Sequence, residues 1–551
     1  MLLFYFPLII LSLLGYGYII SNKIFNLKNE NIGIYGLNGI FSFILISYIS
    51  TQFIAHTKIF NLIILTLGMA FFIIFFKKII FNKKDIAIFS LLVFASLIFI
   101  LVGKNHDDFF YYHFPYTLNL TEFPHQIGLG NLNHGFKTHS SIFLLNSMFH
   151  LPGTNYNLFH LGAAYFWLFS NFILINFLLN KKIQKNYFFI NIFILSSIIF
   201  INIFFYRLGE HGTDRSAMIL ILLLFILILF FINDNSKKID RNSLAKMSII
   251  FSLIISLKAF YIIYILLLVP ILLKIYEKNK NIKIIFNNAF FLSFALVLFA
   301  ISTNYFNTGC LLFPEPKTCF TSMPWSLKLD VVNYLNIHYE NWAKAGSGAG
   351  YENPNSKYEY ISNFNWVSNW IDKYFFNKLS DYLLSLFLII LVFFTIFKRK
   401  KIKKKIFRNY KLLYFIIIFI FFVWFYKHPS LRYGGYHLFL IIFFLPLCLY
   451  LENYSFKLIN LHKKLLIFLM VILVVFTYRN ILRLNKEFKV YSYNPIIELN
   501  YPIHKDAFRI SKRFAKIIQN TNYCNNKSEN CNTKEFTLKK IYKNRFIILN
   551  N

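Results

Sequence analysis

Asp107 and Asp108 stand side by side directly behind a long apolar run, with Tyr112 and His113 just beyond them. A carboxylate in that position can take the proton of an acceptor hydroxyl, or hold a divalent metal against a phosphate or pyrophosphate leaving group. The chain has 23 Asp+Glu against 58 Lys+Arg, so a pair of acids beside an imidazole asks for a reason. Successive helical residues point roughly 100° apart, so only one of the two can face a cavity. The nearer role goes to Asp108; the plainer alternative is that the pair caps a helix beginning near Phe109.

Four further segments carry residues suited to the same chemistry. Downstream of a Gly128-Leu129-Gly130-Asn131 turn, His134, Lys137 and His139 join His113 as side chains able to bind anionic oxygens. Segment 206–215 packs Arg207, Glu210, His211, Asp214 and Arg215 between two apolar runs. Glu210 and Asp214 would complete with Asp108 a shell for a divalent metal, Mg or Mn, or these charges simply pair with one another. Lys258 lies isolated in an apolar run and needs a counter-charge or a water-filled cavity, with a substrate phosphate as the functional partner. Arg432, in Lys427-His428-Pro429-Ser430-Leu431-Arg432-Tyr433, can grip a phosphate in bidentate fashion.

What positions these residues is a membrane scaffold. With 57% hydrophobic and 15% charged residues, most of the chain belongs in lipid. The fold class is all-α polytopic, with about 12–14 transmembrane or re-entrant helices. Spans are expected near 2–20, 33–54, 59–76, 86–103, 155–179, 187–205, 216–233, 284–303, 380–397, 412–426, 436–452 and 465–478. The run from Leu2 has no basic segment ahead of it and no small-residue cleavage site after it, and reads as a retained helix. The aromatics, 20% of residues, fit interfacial belts or a codon bias toward Phe, Tyr, Ile, Asn and Lys.

The formal charge of +35 gathers in short connectors such as Lys398-Arg399-Lys400-Lys401, where the positive-inside rule and anionic lipid account for it, so no nucleic-acid partner is expected. The connectors at 21–31, 77–85, 181–186, 234–246, 274–283, 398–411 and 457–464 face the cytoplasm on this reading, which leaves loops 104–154, 206–215, 304–379 and 427–435 outside. Residues 247–273, bounded by basic charge on both sides, read as two half-helices entering and returning with Lys258 near the buried tip. A single tilted span would reverse everything downstream and put the basic connector 398–411 outside. Segment Ser140–Leu151 reads as an amphipathic helix along the bilayer surface.

Cys310 with Cys319 and Cys524 with Cys531 each bracket a short turn in an outward segment, so local disulfides would agree with that topology. Cys448 falls inside a span. The membrane domain is placed at 1–478 and a small extracytoplasmic subdomain at 479–551, where a Cys524–Cys531 bridge would help a small core.

The order of these motifs resembles the C-type membrane glycosyltransferase (GT-C) superfamily. The acidic pair with Tyr112-His113, the turn leading to Ser140-Ser141, Gly212-Thr213-Asp214, Lys258, Asn307-Thr308-Gly309-Cys310-Leu311-Leu312-Phe313-Pro314, His428 to Tyr433 and the Cys-bracketed tail follow one another along most of the chain. The likeness is greatest to a bacterial inner-membrane family within that superfamily. The resemblance implies a polyprenyl-phosphate-linked sugar donor, an acid of the first external loop (Asp107 or Asp108) as base or metal ligand, and Lys258 or Arg432 on the lipid phosphate. The function expected is glycosyl transfer to an extracytoplasmic lipid, glycan or protein of the cell envelope. The alternatives are a surface-polysaccharide polymerase or ligase leaning on Arg and His, and a lipid or glycan transporter, which would show midplane charges and related halves.

Overall fold

The computed structural model describes residues 2–79, 82–101, 108–154, 157–208, 212–234, 236, 238–279, 281–348, 356–398, 410–454, 458–491, 530–532, 536–542 and 545–550. Ahead of the acidic loop come α1 (Leu2–Ile19, continued by wider turns to Ile24), α2 (Ile32–Ser50), α3 (Lys58–Ile79), α4 (Lys83–Ser96) and α5 (Ile98–Leu101). The loop itself holds α6 (Phe114–Glu122) and α7 (Ser141–Ser147). Then follow α8 (Gly162–Leu179), α9 (Lys181–Asn186), α10 (Phe188–Ile199), α11 (Gly212–Asn233), α12 (Arg241–Leu257), α13 (Leu268–Asn279) and α14 (Asn288–Thr308). The second large loop carries α15 (Leu329–Lys344), α16 (Lys357–Ile361) and α17 (Val367–Trp370); α18 (Ser380–Phe397), α19 (Tyr410–Lys427), α20 (Gly435–Leu451) and α21 (Leu458–Tyr491) return through the bundle.

Among the described residues, 11 helical stretches are long and apolar enough to cross a membrane, and Phe188–Phe204 and Gly435–Leu451 are shorter apolar helices. The protein is thus an all-α, multi-pass membrane protein. Helices apolar on every side must be covered either by protein or by lipid, and both cases occur. The central α2, α8 and α11 are buried over 83, 83 and 89% of their apolar windows, whereas α3, α4 and α21 are buried over 22%. The outer helices turn Ile73, Phe94 and Val474 outward, and lipid contacts them there.

Small residues set the closest helix crossings. A side chain on Gly39 of α2 would reach within 1.9 Å of the Leu13 carbonyl oxygen of α1, and one on Gly15 within 2.0 Å of the Gly68 carbonyl of α3. Backbones approach this closely only where no Cβ intervenes, a common device in bilayers, where lipid competes for apolar contact.

The basic connectors converge on one end of the bundle. Lys246 pairs with Glu30 at 2.9 Å, Asn288 donates to the Ile24 carbonyl, Gln184 bonds His462, and Lys464 donates to the Ile396 carbonyl. The acidic loops converge on the other end, where His56 bonds Ser147, His125 bonds Asn307 and the Trp370 indole donates to the Pro429 carbonyl.

Segment 247–273 belongs to a longer hairpin. α12 ends at Leu257, Lys258 takes an extended backbone, a 3-10 segment (Ala259–Leu267) turns the chain, and α13 returns. Lys278 donates to the Asp234 carbonyl at 2.7 Å, so α13 ends beside the end of α11, where α12 also begins. Lys258 therefore sits at the acidic-loop end and not at a buried midplane tip. The hairpin is longer than the charge pattern implies, because Lys246 and Lys274, which look like boundaries, lie within helices and bond Glu30 and the Ile232 carbonyl.

Two other expectations change. Residues 140–150 are buried throughout, with Ser141 bonded to Ser256 and Asn61 bonded to the carbonyls of Ser147 and His150, so α7 dips into the bundle and is no surface helix. α21 runs to Tyr491, past the boundary expected at 478, and Arg479 beyond that boundary donates to the Ile203 carbonyl at 2.6 Å.

The C-terminal region forms an antiparallel sheet of β1 (Asn530–Asn532), β2 (Phe536–Tyr542) and β3 (Arg545–Asn550) in the order β1-β2-β3. β3 docks on the acidic loop: Phe546 N–H donates to Gln126 Oε1 at 2.6 Å, Ile548 N–H to the Ile127 carbonyl at 2.9 Å, and Arg545 grips Gln52. Cys310 and Cys319 are joined by a disulfide. The side chains of Cys524 and Cys531 lie outside the described residues. Cys448 is buried in α20.

Candidate active site

Four charged side chains from four distant segments meet at the acidic-loop end. Arg432 donates through Nη2 to Asp108 Oδ2 at 2.6 Å and through Nε to Asp214 Oδ2 at 2.7 Å; Lys258 donates to Asp214 Oδ1 at 2.8 Å. Two carboxylates and two cations leave the quartet formally neutral, which is how charges are tolerated at the margin of an apolar bundle.

Each position follows from local sequence. Asp108 opens the helical turn Phe109–His113, but its carboxylate makes no capping bond to that turn and goes to Arg432. Asp214 falls in the first turn of α11, two residues ahead of the span expected from hydropathy, where the helix dipole favours an anion. Lys258 stands at the break between α12 and the 3-10 segment, so its side chain is free to reach Asp214. Arg432 lies in a 3-10 turn, Leu431–Tyr433, between α19 and α20.

That turn is held by three aromatic side chains. The Trp424 indole donates to the Ser430 carbonyl at 3.0 Å, Trp370 to the Pro429 carbonyl at 2.8 Å, and the Tyr374 hydroxyl accepts from Leu431 N–H at 2.7 Å. Gly434 then takes a φ of 121°, outside the range of ordinary L side chains, which lets the chain turn directly into α20. Gly135 permits a close approach of another kind: a Cβ there would meet the Tyr112 side chain at 2.3 Å, so its absence lets the tyrosine pack against the turn at His134.

The acids differ in access. The Asp108 side chain is 25% exposed and that of Asp214 6%. Asp108 is therefore the carboxylate that an incoming molecule can touch, while Asp214 fixes the two cations. Burial works against the charge of Arg432, but Asp214, Tyr112 and Asp108 outweigh it and hold the guanidinium protonated well beyond its ordinary range. Burial, with further help from Asp108 and Asp214, raises the Tyr112 hydroxyl and keeps it a neutral donor. His428 is driven down to about 4, first by burial and then by Lys427, Lys344 and Lys258, against the pull of Glu340.

The other expected residues have separate fates. His139 is buried, bonded to Tyr48 at 2.7 Å and Tyr116 at 3.3 Å, and burial lowers it to about 3. His113 is buried against Tyr112 and Phe143. His134 bonds the Tyr339 hydroxyl at 3.1 Å on the rim of the site, and burial aided by Lys137 lowers it to about 4. Lys137 is half-buried and packs against Gly130. Asp107 and Glu210 lie outside the described residues.

Among the described residues, no three His, Cys, Asp or Glu side chains converge as metal ligands, and Asp214 gives both oxygens to cations.

An apolar cavity of about 460 Å³ that the sequence did not reveal lies along α12. It follows α12 from Ile255, one turn short of Lys258, back to Leu244, and is closed by Leu224 of α11, Ile262 of the 3-10 segment, Ile271 of α13 and Phe294 of α14.

No curated protein and no solved structure matches the chain. The family model described as a domain of unknown function (DUF8201) matches residues 1–440, a stretch that includes the whole quartet and the cavity, and the chain belongs to that family.

Proposed function

We propose that the protein is a membrane glycosyltransferase of GT-C type that transfers a sugar from a polyprenyl-phosphate-linked donor to an extracytoplasmic acceptor in a bacterial inner membrane. The observation that carries this reading is the reachable carboxylate of Asp108 sharing a guanidinium with buried Asp214, in a bundle that also holds an apolar cavity along α12. The donor phosphate would lie against Lys258 and Arg432, with its first isoprene units in the cavity. Asp108 would take the proton from the acceptor hydroxyl as the acceptor oxygen bonds the sugar C1. The C1–O bond to phosphate then breaks, and the leaving phosphate carries its charge to the two cations.

A transporter would place its charges at the midplane, whereas the quartet lies at one end of the bundle; this favours chemistry on a substrate presented at the membrane surface. The test is sugar transfer by protein reconstituted in lipid, using a panel of polyprenyl-phosphoryl sugars, with and without added divalent metal, beside Asp108→Asn. Transfer that disappears in the variant supports the reading. Transfer unaffected by the variant, or absent with every donor, overturns it.

A further inference from the structure

Three aromatic side chains stand half-buried near Arg432 and Lys258. Tyr433 follows Arg432, and the Lys258 ammonium lies over its ring at 5.7 Å from the centroid. Trp342 of α15 meets the same ring at 5.8 Å and 71°, forming a corner with one ring's edge toward the other's face. Tyr339, one helical turn before Trp342, is near enough to Tyr433 for their hydroxyls to interact electrostatically. Its hydroxyl is fixed by His134 at 3.1 Å.

The helix that carries two of these rings is anchored with unusual care. Lys344, fully buried, pairs with Glu340 at 2.6 Å, donates to the Ile361 carbonyl and lies 5.0 Å from the centroids of both Trp366 and Tyr426. Glu340 also pairs with Lys427 at 3.3 Å, five residues ahead of Arg432, so α15 is tied to the segment that presents the guanidinium. A buried lysine is tolerated only when so fully partnered, and here the partners fix the Trp342–Tyr433 corner relative to the cations.

We propose that this corner is the seat of the donor's sugar ring: a pyranose joined to the phosphate at Lys258 and Arg432 packs its C–H face on Trp342 and Tyr433. The negative face of an aromatic ring suits the weakly positive C–H face of a sugar, while the rim, with Tyr339 and His134, offers hydrogen bonds to its hydroxyls. This assignment rests on the glycosyl-transfer reading above.

The test compares wild type, Trp342→Ala and Trp342→Phe in lipid nanodiscs for binding of undecaprenyl phosphate and of undecaprenyl-phosphoryl hexose. A second arm measures saturation transfer from the protein to free methyl hexosides. Trp342→Ala is expected to weaken the sugar-bearing lipid about tenfold, with the bare lipid unchanged and Trp342→Phe close to wild type. Equal affinity of wild type for the two lipids, or equal loss of both in Trp342→Ala, overturns the sugar seat and leaves the lipid-phosphate site standing. Failure of wild type to bind either lipid removes the donor reading. In that case hexoside contact that depends on Trp342 retains the sugar seat, and its absence overturns that too.

Discussion

Asp108 and Asp214 hold one guanidinium from two sides, the first at Nη2 of Arg432 and the second at Nε, although 106 residues separate them in the chain. A forked, planar cation bonds both with two donors held a fixed distance apart. Arg432→Lys keeps the charge but gathers its donors on one compact ammonium at the end of a flexible stem, so the two carboxylates lose that fixed spacing. Transfer is expected to fall on the order of 100-fold, since a misplacement of about 1 Å has that effect, while the variant stays folded. Steady-state transfer beside a thermal melt of the same preparation checks both parts.

The two acids should separate in stability as they do in access. Asp214→Ala leaves Lys258 and Arg432 without their buried anion, and about 3–5 kcal/mol of destabilisation is expected. Asp108→Asn removes a quarter-exposed partner and is expected to change stability by less than about 1 kcal/mol while abolishing transfer. Denaturant unfolding in detergent, read by tryptophan emission, distinguishes them.

Gly39→Leu places a branched side chain where even a Cβ would lie 1.9 Å from the Leu13 carbonyl oxygen. The α1–α2 crossing cannot open without also shifting α3, which packs on α1 through Gly15 and Gly68. The variant is expected to be lost from the folded fraction in fluorescence-detected size exclusion, whereas Leu37→Met on the same helix is retained.

Acid should loosen the acidic-loop end. Burial lowers His139 to about 3, and burial aided by neighbouring cations lowers His125, His134 and His150 to about 4, from an ordinary 6.5. Below 6.5 the unfolded chain takes up protons that the native state refuses, so stability falls as pH drops from about 6.5 toward 4. Each fully buried imidazole contributes on the order of 3 kcal/mol to that loss. A melting temperature that declines over this window in wild type, and less steeply in His139→Gln, is the expected result.

The disulfide offers a test of sidedness. Cys310 and Cys319 belong to the loop after α14, on the acidic-loop end, and a bond there persists in an oxidising compartment. Membrane-impermeant maleimide added to intact cells is expected to label these two cysteines only after mild reduction, and Cys448 not at all.

Much of the scaffold was legible because apolar length and basic connectors obey bilayer physics, and the spans expected from hydropathy recur as α2, α3, α8, α14, α19 and α20 with shifts of a few residues, α8 starting latest. Asp108, Asp214, Lys258 and Arg432 were each visible as a charge out of place. Their meeting was not, since four separate segments carry no shared periodicity. Burial was harder: Ser140–Leu151 has a polar stripe that suits a membrane surface, but Ser141 bonds Ser256 of α12, Ser147 bonds His56, and Asn146 accepts from Gly162 N–H of α8. Trp342, Tyr339 and the anchors Trp370, Tyr374 and Trp424 gave no signal at all, because in a chain with 20% aromatics a functional ring looks like any other. The cavity was equally silent, being made of the residues that also face lipid.

The docking of β3 on Gln126 and Ile127 also fixes an order of events during synthesis. Phe546 bonds Gln126 across 420 residues, so a nascent acidic loop waits for its last backbone partner while α8 to α21 are made and inserted. At ribosomal speeds of about 5–20 residues per second that interval is roughly 20–80 s. Arg432 is made 114 residues before Phe546, so Asp108 meets its guanidinium first and the sheet seals the loop afterwards.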